Sequence, residues 1–146
     1  MTTVSPPPWT YALHLPHDPR APGIARAALR VILDAHGLSD LTDDAELLAS
    51  ELLTNAHLHT TGSYALRLTP SAVDPVRLRV AVWDASPQIP PGFGPVRNGD
   101  LSPESAEHGR GLHLVRACAD AWGAYTLAGG HAGKLLWAEC AGGRGR

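Results

Sequence analysis

Hydrophobic and polar positions change period several times along the chain. Over WTYALHLP (9–16), Trp9, Tyr11, Leu13 and Leu15 alternate with smaller or polar neighbours, which is the period of a strand. Pro22 then opens IARAALRVILDAHG, where Ile24, Ala28, Val31 and Ala35 recur at helical spacing and Gly37 is placed to stop the helix. A second helix is predicted from about Asp44 to His59. Asp43 and Glu46 have capping-box spacing at its start, and Ala45, Leu48, Leu52 and Ala56 form its apolar stripe. Two strands follow, over about 64–69 and 76–83. In the second, Val76, Leu78, Val80 and Val82 share one face and Arg77 and Arg79 the other, so a sheet covered on one side and wet on its other side is expected.

From Ala85 to Gly109 neither period persists, and a stretch that long in a compact domain is either a functional loop or an element that the periodicity misses. A third helix is predicted over about 111–122. AYTL (124–127) and LLWAEC (135–140), joined by the turn-rich AGGHAGK, read as a closing hairpin. Residues 1–8 are a Pro-rich lead-in, 9–141 one domain, and 142–146 a frayed tail. Helices and strands come in runs without regular alternation. The fold class is therefore α+β, a two-layer sandwich with helices on one face of a mixed β-sheet.

Composition narrows the function. The 146 residues are 44% hydrophobic and 18% charged, which suits one globular domain. Twelve basic residues against 14 acidic ones give a net charge of −2, without the basic footprint of a nucleic-acid binder. No apolar run approaches a membrane span, no secretory signal is visible, and Cys118 and Cys140 lie in apolar stretches without CxxC spacing. A reducing cytoplasm fits that pattern. Lys134 is the sole lysine. Of the 15 glycines and 13 prolines, five of each fall within residues 85–111, so their excess marks one long loop.

Three places carry candidate chemistry. Glu51, Asn55 and His59 are four apart on the second helix and share one face beside the Leu48/Leu52 stripe. A carboxylate and an amide there offer a general base and a neutral oxygen ligand for a hard cation. Asp84 shares the parity of the covered face of its strand, where a carboxylate needs a partner. An arginine, a helix N-terminus or a ligand's amino group would each serve. Gly109-Arg110-Gly111-Leu112 opens the third helix, where backbone N–H groups can approach an anion. It is neither a dinucleotide-binding fingerprint nor a Walker loop. His57 and His59 point to nearly opposite sides of their helix, and His108 and His113 lack a zinc signature, so histidine-held metal is not expected.

Taken together, these segments resemble the GHKL (Bergerat-fold) ATPase/kinase superfamily, and within it the anti-sigma-factor serine kinase branch. SELLTNAHLHT (50–60) is similar to the N-box, VWDAS (82–86) to the first glycine box, HGRGLHLV (108–115) to the second, and GKLLWAEC (133–140) to the branch's terminal strand. The resemblance implies that Glu51 activates the attacking hydroxyl, that Asn55 ligates Mg²⁺ on the phosphates of ATP, and that Asp84 accepts from the adenine amine. It implies a phosphate wrap by His108, Gly109, Arg110, Gly111 and Leu112, and an ATP lid formed by the 85–108 loop. The activity implied is transfer of the γ-phosphate of ATP to a serine or threonine of a cytoplasmic protein partner, an anti-anti-sigma factor or a sigma factor. No direct nucleic-acid or membrane contact is implied, and a homodimer is left open. The alternatives are an ATP-binding partner-switching module without phosphotransfer, and a histidine-kinase-like catalytic domain acting in trans. The sequence departs from the pattern at two points. Both glycines of D-x-G-x-G are replaced, in Asp84-Ala85-Ser86-Pro87-Gln88, and the hydroxyl often found after the late glycine gives way to Lys134.

Overall fold

The computed structural model describes residues 9–72, 74, 76–90, 92–93, 115, 118–127 and 132–141. Among them are strand β1 (Tyr11–Leu15), helix α1 (Ala21–Ala35), helix α2 (Thr42–His59), and strands β2 (Tyr64–Pro70), β3 (Arg77–Asp84), β4 (Ala121–Leu127) and β5 (Gly133–Ala141). The strands form one sheet in the order β1-β2-β3-β5-β4. The expected α+β architecture, helices laid on one face of a sheet, is present. All four described pairings are antiparallel where a mixed sheet was expected. The cause lies in the connections. A single crossover helix returns the chain for a parallel strand, but α1 and α2 form a helical pair between β1 and β2, so β2 enters running the opposite way.

Both predicted helices form. Leu38 N–H bonds the Leu33 carbonyl at 2.8 Å across Gly37, whose φ of +71° is the left-handed geometry that ends α1. The buried face of α1 is Ala21, Ala25, Leu29 and Leu33, not the stripe whose spacing marks the helix. Ile24 and Val31 are 61% and 69% exposed. Its polar residues Arg26, Arg30 and Asp34 form one narrow stripe, so the apolar arc is too wide for spacing alone to choose the buried part; packing against α2 and the sheet does. In α2 the expected stripe is the buried one: Ala45, Leu48, Leu52 and Ala56 are in the core with Ala49 and Leu53. The capping box is absent. A 3-10 turn, Ser39–Leu41, runs directly into Thr42, which leaves Asp43 and Asp44 inside the first turn, where they favour the positive end of the helix.

Parity in β3 holds from Leu78 onward: Leu78, Val80, Val82 and Asp84 face the helices, while Val76 precedes the strand and is exposed. The opposite face is not simply wet. Ala81 and Glu139 are buried there beneath Arg79 and Trp137, with the Arg79 guanidinium 4.0 Å from the Trp137 ring centre. The closing hairpin is longer than predicted, and Ala121 and Trp122, placed in the third helix by their sequence, belong to β4. Val115 and Cys118 are helical. The lead-in and tail lie outside the described residues.

Candidate nucleotide site

One transverse row of the sheet organises the site. Leu15, Tyr64, Asp84 and Lys134 are successive cross-strand partners at one end of β1, β2, β3 and β5. Tyr64 is fully buried, and its hydroxyl lies 2.9 Å from Nδ1 of His57, which ties this end of the sheet to the last turns of α2. The His57 ring stacks on His17 with centres 4.0 Å apart, and Nε2 of His17 donates to the His57 carbonyl at 2.8 Å. Thr60 then ends the helix, its hydroxyl bonding the Ala56 carbonyl at 2.7 Å.

This anchoring turns the expected row of α2 toward the rim of the core. Glu51 and Asn55 are half-buried and His59 is exposed at the helix end. Burial pushes the Glu51 carboxyl above its ordinary range, as suits a group that must accept a proton. Asn55 is the more telling residue. Among the described residues, its buried Oδ1 has no hydrogen-bond partner. A buried acceptor left unsatisfied costs about 1–3 kcal/mol, so the position favours a ligand that takes an oxygen donor. A hard cation such as Mg²⁺ fits, since it takes one or two protein oxygens and fills its remaining positions with water and phosphate.

Beside the end of α2 lies an open cavity of about 490 Å³. It is walled by Leu58 and His59, by the turn at 60–62, and by Ala85 and Ser86 from the end of β3. Its size falls within the usual range of ligand pockets, roughly 300–1,000 Å³. His59 thus reaches the cavity, while Asn55 and Glu51 lie one and two turns back along the same face of the helix.

Asp84 directly precedes Ala85 and Ser86 of the cavity wall, is buried as its parity requires, and has a protein partner. Lys134 Nζ is 2.9 Å from Asp84 Oδ1, with the two side chains 1% and 2% exposed, and it also donates to the Ser86 carbonyl at 3.4 Å. The Ser86 N–H donates to the same Oδ1 at 2.8 Å, and the Gln88 N–H lies 3.3 Å from the Ser86 hydroxyl. Side-chain turns therefore replace the two missing glycines in holding the backbone after β3. Gly133 makes the pair possible. Its φ is +135°, and a Cβ there would run into the Asp84 carbonyl oxygen, so only glycine lets β5 begin this close to β3. Sequence reasoning missed the ion pair. The available signal was a buried acid at one strand end and the chain's sole lysine at the start of another strand.

His108, Gly109, Arg110, Gly111 and Leu112 lie outside the described residues, as does most of the expected lid. Its first part is anchored: Phe93 is buried in the core, and the Trp122 indole N–H donates to the Gly92 carbonyl at 3.1 Å. No helix among the described residues is long and apolar enough to cross a membrane.

A family model described as histidine kinase-like ATPase domain matches residues 15–138, from the end of β1 into β5. The curated proteins hold no match to the chain.

Proposed function

The chain belongs to the histidine kinase-like ATPase domain family, and from this premise of an ATP-binding, kinase-like ATPase domain we propose a serine/threonine protein kinase of the anti-sigma-factor type. Its substrate is a cytoplasmic protein partner, an anti-anti-sigma factor or a sigma factor that it also sequesters. The observation that carries the reading is the orphaned Asn55 Oδ1, one helical turn from a carboxyl whose proton affinity burial has raised.

In this reading Asn55 holds Mg²⁺ on the triphosphate, and the ion supplies neutralisation of the charge that develops there. Asp84, at the end of β3, accepts from the adenine amine. Glu51 takes the proton of the acceptor hydroxyl as its oxygen bonds the γ-phosphorus and the bond to the β–γ bridging oxygen breaks, releasing ADP.

Label transfer from γ-labelled ATP to candidate partner domains tests the proposal. Glu51→Ala should still bind ATP but transfer phosphate roughly 10²–10⁴-fold more slowly, the range of a general base. Equal transfer by the variant removes Glu51 from that role. The altered first glycine box and the Asp84–Lys134 pair favour a second reading, a partner-switching module without phosphotransfer. It predicts Mg²⁺-dependent ATP binding with no label on any partner.

A further inference from the structure

We propose that Lys134 sets the base selectivity of this site, leaving it tolerant of both purine triphosphates. The inference rests on the nucleotide-site reading above and deepens it. A bare buried carboxylate reads a base edge in two ways: it accepts from an exocyclic amine, and it repels a carbonyl oxygen. The second effect excludes guanine, whose O6 lies where adenine carries its amine.

Asp84 is not bare. Its Oδ1 already receives Lys134 Nζ at 2.9 Å and the Ser86 N–H at 2.8 Å, which fills that oxygen's two acceptor positions. The ammonium also donates to the carbonyl of Ser86, a residue that lines the cavity, so the charge that offsets the acid is tied to the backbone of the cavity wall. Two consequences follow for a base held there. The adenine amine meets a carboxylate with half its accepting capacity used, and a guanine carbonyl meets a neutralised pair instead of an anion. Binding energy shifts from the base to the triphosphate and its cation, which are common to all nucleoside triphosphates.

The register makes this arrangement a fixed feature. Asp84 and Lys134 are direct cross-strand partners, and Gly133 lets β5 begin hard against the Asp84 carbonyl. The lysine cannot swing away without dragging its strand or leaving a buried charge alone.

Titration calorimetry with ATP and with GTP, each with Mg²⁺, tests the proposal on the intact chain. The wild-type affinities should lie within about tenfold of each other, the weak discrimination expected when no buried group is left to reject the wrong base. Lys134→Thr, with a melting curve as a check on folding, should move the ratio toward ATP by about tenfold or more as the carboxylate is freed. A wild-type preference for ATP well above tenfold overturns the role of Lys134, as does a folded Lys134→Thr variant with an unmoved ratio. If that variant does not fold, the wild-type ratio alone decides. Absence of binding by either nucleotide overturns the ATP-site reading itself, a different result from binding with the wrong ratio.

Discussion

Two buried carboxylates, Asp84 and Glu139, face directly opposite basic partners across the same β3–β5 ladder, yet their surroundings differ. Glu139, on the face away from the helices, is held by three groups: Arg79 at 2.7 Å, Arg77 at 3.7 Å and the Ser71 hydroxyl at 3.1 Å. Both of its oxygens are engaged and Trp137 covers Arg79, although among the described residues the buried Arg77 Nε–H finds no acceptor. Among the described residues, the hydrogen bonds that Asp84 receives converge on Oδ1 alone, and the next two residues of the chain, Ala85 and Ser86, line a cavity. The same chemical pairing thus engages both carboxylate oxygens on one face and a single oxygen on the other. A buried ion pair does not by itself mark a site; its unsatisfied capacity and the space beside it do.

Substitutions can break this contrast, beginning with the most disruptive. Asp84→Ala leaves Lys134 as an uncompensated buried charge and should cost about 3–5 kcal/mol of stability. Chemical denaturation measures this, and ATP affinity should fall as well. Gly133→Ala should cost about 1–3 kcal/mol from strain at its backbone angle. Because the new methyl meets the Asp84 carbonyl, nucleotide affinity should also change, and normal affinity would show that the approach of β5 does not shape the site. Glu139→Ala should cost about 1–3 kcal/mol, less than the Asp84 change because Arg79 and Arg77 are partly exposed and can regain water. Its ATP affinity should be unchanged; a loss would show that the two faces are coupled.

The smallest effect is pH-dependent. Burial raises the folded-state pKa of Glu51, so the folded state binds its proton more tightly than the unfolded state does, and stability falls as pH rises through that window. Glu51→Gln removes the penalty. In chemical denaturation its stability should match wild type at acid pH and exceed it increasingly toward neutrality, by less than about 1 kcal/mol after solvent screening. A variant equally or less stable at neutral pH would mean that the site does not strain this carboxyl.

The same contrast explains what could be read from the chain. Glu51, Asn55 and His59 were legible because a helix fixes which residues share a face through local geometry alone, and α2 has a clear apolar stripe beside them. The inward side of Asp84 was legible from the two-residue period of β3. The face of α1 was not, because its apolar arc is wide around a narrow Arg26/Arg30/Asp34 stripe, and tertiary packing chose Leu29 and Leu33 over Ile24 and Val31. Neither ion pair could be read, since cross-strand register between β3 and β5 joins residues 50 to 60 positions apart. Local rules placed the residues of α2 and β3. Long-range pairing decided which of them already had partners.

The central claim is that the buried, unpartnered Oδ1 of Asn55 belongs to a cation-assisted triphosphate site. The most direct measurement is calorimetric titration of ATP with and without Mg²⁺, on wild type and on Asn55→Ala. Wild type should bind ATP at least about tenfold more tightly with Mg²⁺, as expected when a protein oxygen completes the ion's shell on the phosphates. Asn55→Ala should lose most of that gain. Wild-type binding that is indifferent to Mg²⁺, or an Asn55→Ala variant that keeps the full gain, would contradict the account.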